Sequence, residues 1–344
     1  MKVLRKEKPL MSIAKRVIAI VSLLFGIIMF PDTASAQKNQ GWWDNIEAQI
    51  TVGKKEFLLG EPTFIRAAVT NHHGETIHLW DLIYRTFEFS AKDSSGNSVR
   101  KLPGPGLSGL FLSVPVAPTT SFDDVVFMNE HLDFPRPGVY RVTYRGSILA
   151  YEARSSGQHV SLQAIPVSGT VSVKLRQGSS SELEMALRQY LKQLRSDDRK
   201  QQRQAARALS ASEPALAVKL LREALEAENG SYPPGATYAI WALPKIGTNE
   251  AIQALLNVAQ HSNNTMVRIE SIHKLGTWRI REAVPMLIDS LSDTRFEIRR
   301  AALSCLGSIG DKSCIREVES KFNDPDQRVR DLAQEVYKKL TRER

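Results

Sequence analysis

The chain has 344 residues, 42% of them hydrophobic and 24% charged, with 20 glycines and 16 prolines. That length and apolar content supply more than one buried core, so two domains are expected, and they exclude a disordered, collagen-like or polyelectrolyte chain. The formal net charge of +9 points toward nucleic acid or a membrane surface only until its location is read, and two cysteines, Cys305 and Cys314, are too few for a disulfide framework or a four-ligand zinc site.

At the amino terminus, Lys2, Arg5, Lys6, Lys8, Lys15 and Arg16 precede an apolar run from Val17 to Phe30, and Ala34, Ser35 and Ala36 follow Pro31, Asp32 and Thr33. A basic start, an apolar stretch too short for the roughly 17 to 25 residues of a membrane span, and an A-x-A site make residues 1–36 a predicted signal peptide, cleaved before Gln37. The protein is therefore expected to be exported, periplasmic or secreted, with no membrane span after cleavage. Without residues 1–36 the net charge falls to +5. Neither remaining half is a polycation, so a nucleic-acid partner is not expected.

From Asn45 to about Val173 the apolar residues fall in short β-branched and aromatic runs separated by turn residues, the spacing of an all-β sandwich. Strands are predicted over 46–52, 63–70, 77–83, 86–92, 122–128 and 139–144. A tight turn at Asp93–Asn97 leads into a returning strand at 98–102. The stretches GEPTFIRAAVTN (60–71) and FPRPGVYRVTY (134–144) resemble immunoglobulin-like or fibronectin-like sandwiches of exported bacterial proteins. The resemblance implies that residues 37–177 form such a domain, with Tyr140 at a corner, its ring in the core and its hydroxyl bonded to backbone.

After the polar stretch RQGSS (176–180), read as an accessible linker, composition shifts to Ala, Leu, Arg, Glu and Gln at helical spacing. Val267-Arg268, Ile298-Arg299 and Val329-Arg330 recur every 31 residues, as do Leu275-Gly276 and Leu306-Gly307, and Asp293 and Asp324. The glycines are expected where each first helix ends. Two short amphipathic helices per unit, as in VRIESIHKLGTWRIREAVPMLIDSLSD, resemble the HEAT repeat in its short, phycobilisome-lyase-like form. This resemblance implies an α-solenoid over residues 178–344, clearest over 237–340, and hence a multidomain all-β plus all-α chain. It also implies that Asp293 with Arg299, and Asp324 with Arg330, form a stabilising ladder, the Asp capping a helix start and the Arg bonding across the turn. Cys305 and Cys314 fall close enough on an antiparallel helix pair for either a disulfide or two buried thiols.

No H-E-x-x-H, P-loop, G-x-S-x-G or C-x-x-C pattern occurs. HEAT-like folds host an iron hydroxylase with paired His-Glu ligands, but this array has no His-Glu dipeptide, and its histidines are His261 and His273. His72, His73 and His78 read as a polar turn, and no cofactor or metal is expected. The expected function is that of an exported, non-enzymatic scaffold binding a protein partner. The rival is an enzyme or enzyme accessory with a cleft between the sandwich and the first repeat. In HEAT-like solenoids the second helices line the concave side, so the partner-facing candidates are Gln253, Asn257, Glu282, Met286, Asp289, Arg316 and Ser320.

Overall fold

The computed structural model describes residues 41–80, 86–103, 113–152, 162–226 and 231–342; the predicted signal peptide and its cleavage site lie outside them. Contacts divide the chain after Asp44. In the short first unit the rings of Trp42 and Trp43 meet edge to face, 6.1 Å apart. Residues 45–344 form the second compact unit.

This unit begins with strands, arranged in open sheets. Strands β1 (Ile46–Val52), β3 (Phe64–Asn71) and β8 (Ser121–Phe127) form an antiparallel sheet in the order β1-β3-β8. A larger sheet runs β2 (Glu56–Leu58), β11 (Gln163–Arg176), β10 (Gly138–Glu152), β4 (Ile77–Trp80) and β7 (Ser113–Val116), with β5 (Glu88–Lys92) also paired to β10. Side-chain alternation makes one face of each strand apolar. Ile65, Ala67 and Val69 of β3, Phe122 and Val126 of β8, and Tyr140 and Val142 of β10 are all buried. Strand β10 extends well past the predicted 139–144, because β11 pairs with it from Gly138 opposite Leu175 to Ala150 opposite Gln163. Gly169 lies opposite Tyr144, and a Cβ there would sit 2.5 Å from the tyrosine hydroxyl.

The turn at Asp93–Asn97 closes as predicted, with Gly96 N–H donating to the Asp93 carbonyl at 3.0 Å. Its return strand then departs from the expected hairpin. After one bridge, Lys92 to Ser98, the chain leaves β5, and β6 (Arg100–Lys101) pairs with β9 (Leu132–Asp133). Leu132 is buried there, and Arg100 and Asp133 form an ion pair at 2.7 Å. Tyr140 is 1% exposed and donates its hydroxyl to the Arg136 carbonyl at 2.7 Å.

Among the described residues ten α-helices follow: α1 (Ser180–Leu194), α2 (Arg199–Ser210), α3 (Pro214–Leu225), α4 (Ala236–Ile246), α5 (Asn249–His261), α6 (Thr265–Thr277), α7 (Val284–Ser290), α8 (Phe296–Ile309), α9 (Ile315–Glu319) and α10 (Gln327–Thr341). They pack in two layers. Even-numbered helices stack on one another, α2 on α4, α4 on α6, α6 on α8 and α8 on α10, while α1, α3, α5 and α7 form the second layer. No single pair can cover its own apolar stripe, so stacking creates one continuous core from Leu183 to Leu340. Among the described residues, no helix is long and apolar enough to cross a membrane.

Gly276 and Gly307 do not end helices. They lie inside α6 and α8 because the next first helix passes there: a Cβ on Gly276 would meet Cys305 Sγ at 3.0 Å, and one on Gly307 would meet Val336 at 2.9 Å. The left-handed positions that close the first helices are Gly247, Arg279 and Gly310, and the middle one has no glycine.

The ladder is real but staggered relative to the expected pairs. Asp293 bonds Arg268 of the preceding first helix at 3.0 Å, and Asp324 receives both Nε and Nη2 of Arg299 at 2.8 and 2.7 Å. Across its own turn each arginine reaches backbone instead: Arg299 donates to the carbonyl of Asp293 at 3.0 Å, and Arg330 to that of Asp324. The aspartates also precede the helix caps. Asp326 caps α10, and Arg295, at the start of α8, makes no side-chain cap. An arginine on a helix is long enough to span two repeats, so the carboxylate it finds belongs to the next unit.

Burial opposes ionisation of Asp293 and Asp324, yet hydrogen bonds from Arg295 and Arg299, respectively, prevail, holding both carboxyls low and Asp293 at about 2. A carboxyl whose folded pKa is depressed adds stability that is complete above its unfolded value and disappears as pH falls through the folded one. The array should therefore lose stability between about pH 4 and pH 2. Asp324→Asn, which strands the buried Arg299, should cost about 3–5 kcal/mol at neutral pH and flatten that acid dependence. Urea unfolding of both proteins across this range checks it; parallel acid profiles would refute the assignment.

Cys305 and Cys314 are both free and buried, so the thiol alternative is the one found. Burial pushes Cys305 up to about 12 and Cys314 up to about 11, and Cys314 Sγ lies 3.1 Å from the Asp311 carbonyl. An aromatic disulfide reagent should label neither thiol in the folded protein and both after denaturation, with no two-hydrogen mass deficit under non-reducing conditions. Rapid labelling in native buffer would contradict this burial.

Candidate functional site

The strand-rich and helical parts meet through a packed joint. Gly60, at φ +87°, starts the Gly-Glu-Pro turn, and its carbonyl accepts the Glu213 N–H at 2.8 Å. A side chain on Gly60 would lie 3.1 Å from both Glu213 and Leu183. Glu61, 1% exposed, turns inward to accept from Lys54 at 2.6 Å and from the Leu58 N–H at 2.9 Å. Glu130 and Arg207, both nearly buried, pair at 2.6 Å, with the guanidinium also over the Phe127 ring. Gln204 donates to Asp124 at 2.9 Å. These contacts pack part of the junction at which the rival reading placed a ligand cleft. Nor is the stretch 176–180 a loose linker. Arg176 pairs with Glu56 and Glu182, and Ser179 and Glu182 make a reciprocal capping box opening α1.

Two surface depressions lie elsewhere. One, of about 490 Å³, is bounded by Arg188, Leu191, Lys192, Arg195, Ser196 and Glu223; the other, of about 280 Å³, lies beside Asp93, Arg100, Asp133 and Tyr140. Among the described residues, no group of three or more His, Cys, Asp and Glu is placed to hold a metal ion. His72 lies 3.2 Å from Glu47, and His78 stacks on Tyr151 at 5.0 Å.

On the odd-numbered layer, Gln253 and Asn257 of α5, Asp289 of α7 and Arg316 of α9 are exposed, as are Glu282 and Ser320 in the adjoining 3₁₀ turns. Met286 is the exception. It is 8% exposed and packs into the core. The turn Arg281–Ala283 before α7 is a 3₁₀ helix, which advances about 120° per residue instead of about 100°, so Met286 is rotated inward.

The even-numbered layer carries a feature that the sequence reading passed over. Trp241 on α4 is 50% exposed and Trp278, at the end of α6, is 44% exposed, and Lys274 Nζ lies 4.3 Å from the first ring centre and 5.9 Å from the second. Burial by these neighbours, with the charge of Lys245 added, lowers Lys274 to about 8. One turn earlier, Glu270 accepts from Tyr232 at 2.8 Å and from Thr237 at 3.0 Å. Thr237 stands 31 residues before Arg268, so the ladder position carries no arginine here. A signal was available: Ala236, Ala239, Ile240 and Leu243 set the buried stripe of α4, which places Trp241 on its polar face.

Residues 185–275 and 252–338 each match the family of HEAT repeats. The 26S proteasome regulatory subunit RPN2 of Eremothecium gossypii is 36% identical over 128 residues, covering 34% of this chain and 14% of that protein. Human deoxyhypusine hydroxylase is 31% identical over 104 residues, covering 30% and 34%. The chain thus spans well under half the length of either relative. A structure of the CpcE–CpcF complex of phycocyanin lyase from Nostoc sp. aligns at a TM-score of 0.34 and 27% identity, over 49% of this chain and 67% of that one.

Proposed function

The helical half is a HEAT-repeat array over residues 185–338, and from that premise we propose that the protein is a non-enzymatic scaffold holding a protein partner on the repeats. The observation that carries this reading is the array itself: two stacked helix layers, fixed by a buried arginine–aspartate ladder, that leave extended side-chain faces in solvent. Such solenoids present long surfaces suited to protein recognition. The odd-numbered face mixes Gln253, Asn257, Asp289 and Arg316, a lining that suits a protein surface better than phosphates, which demand a stripe of Lys and Arg. On this reading the strand-rich half is an immunoglobulin-like sandwich that caps the first repeats, and the chain is exported through its amino-terminal leader.

In-cell cross-linking of the tagged full chain, with cross-links mapped by mass spectrometry, tests the scaffold. Links from helical-layer residues to one recurring protein are expected; links confined to residues 45–176, or none, would count against it. Amino-terminal sequencing of the same material should begin at Gln37.

A further inference from the structure

We propose that the even-numbered layer around Trp241, Lys274 and Trp278 is a docking surface for an acidic peptide segment in which a carboxylate neighbours an apolar side chain. This deepens the scaffold reading and rests on it, while moving the contact to the opposite layer from Gln253 and Asp289.

Three observations converge. First, two half-exposed indoles lie within 6 Å of one ammonium, although a soluble helix ordinarily turns polar residues to water. Exposed, closely grouped tryptophans mark binding hot spots far more often than their abundance predicts. Second, the charge around them is mainly positive. Lys245, Lys274, Arg279 and Arg300 are on this face or at its edge, and its acid, Glu270, is already engaged by Tyr232 and Thr237. Among the described residues Lys274 makes no ion pair, and the charge acting on it is the like charge of Lys245. A carboxylate arriving from a partner would supply the missing counter-charge, and an apolar side chain beside it would cover the indole faces. Third, the turn that ends in this patch is held in an unfavourable conformation. Arg279 adopts φ +52° where the equivalent positions are Gly247 and Gly310. An L residue in this left-handed region costs roughly 1–2 kcal/mol. The strain falls next to Trp278, as it does at recognition sites whose surroundings over-determine them.

The sign of the charge selects the partner. A basic or neutral peptide would bring Lys274 no counter-charge. A carbohydrate would stack on the indoles without answering the cations.

The test is selection of phage-displayed random peptides on the full chain, with parallel selection on the double variant Trp241→Ser, Trp278→Ser. Both rings are about half in solvent, so this variant should keep the helical circular dichroism of the parent. The expected result is a consensus pairing Asp or Glu with Leu, Phe or Ile. Synthesised, that peptide should bind the variant on the order of tenfold or more weakly, and binding to the parent should weaken as salt rises. Lys274→Glu, which keeps both rings, should abolish the acidic consensus and provides the readout if the double variant is unstable. A consensus without acids, or an acidic one insensitive to both variants, would overturn the proposal. If the selected peptides instead lose affinity on charge reversal at Asp289 and Arg316, or if no peptide is retained, this site fails, and the scaffold reading stands or falls by the cross-linking.

Discussion

Leu306→Asp is expected to unfold the carboxy-terminal repeats. Leu306 is completely buried on α8, between the helix pairs that flank it. Removing a buried leucine side chain costs about 2–5 kcal/mol, and a carboxylate stranded among apolar groups adds several more unless it takes up a proton. In a quasi-one-dimensional array the damage spreads through neighbour interfaces. Helical circular dichroism should therefore fall sharply, while residues 45–176 keep their sheets and the buried Tyr140. Unchanged helicity and melting would show that Leu306 is not the inter-repeat contact described above.

Glu130→Ala should produce the second largest effect, at the joint. Arg207 is 5% exposed, and its guanidinium is fitted between Glu130 and the face of Phe127. Removing the carboxylate leaves a buried cation without its counter-charge, a loss of about 3–5 kcal/mol. The strand-rich part should loosen from α2 and free the stretch 176–180, which faces solvent but is held in place by the Arg176–Glu182 pair and the Ser179 capping box. Limited proteolysis of the parent should spare that stretch, and the variant should be nicked there first. The double variant Glu130→Ala, Arg207→Met, which removes both charges, should recover much of the loss. If the single variant were as resistant as the parent, the joint would not depend on this pair.

Repetition made the helical half legible. A period of 31 with Val-Arg, Leu-Gly and Asp at matching places encodes which residues face inward, because each helix meets the same neighbours in every unit. Of the residues whose spacing predicts an inward face, Leu275, Leu306, Val284, Leu287 and Leu291 are buried and Ile288 is partly so. The same logic misplaced Met286, since the 3₁₀ turn ahead of α7 changes the angular advance along the chain and helical spacing alone does not reveal that change. It also misassigned Gly276 and Gly307. Glycine serves a helix end and a close helix crossing equally well, and only the position of Cys305 and Val336 tells the two apart.

The strands were legible singly and not as pairs. Alternation located β1, β3 and β8, but the hydrogen-bond partner of a strand depends on edges brought together from distant sequence, which is how Arg100–Lys101 came to pair with Leu132–Asp133. For the candidate site, the sequence supplied residue types and their helical faces and could not supply neighbours. Trp241 and Trp278 are 37 positions apart, and one lysine brings them together.

The sequence by itself thus determined that this protein has a strand-rich half and a repeating helical half, because hydrophobic period and turn chemistry are local properties of the chain. Only the tertiary structure decided that residues 45–344 pack as one unit, that the ladder runs from each arginine to the next repeat's aspartate, and that an aromatic, cationic face is left uncovered. Those outcomes depend on which surfaces meet after folding, where a buried charge must find its counter-charge wherever the fold has placed one.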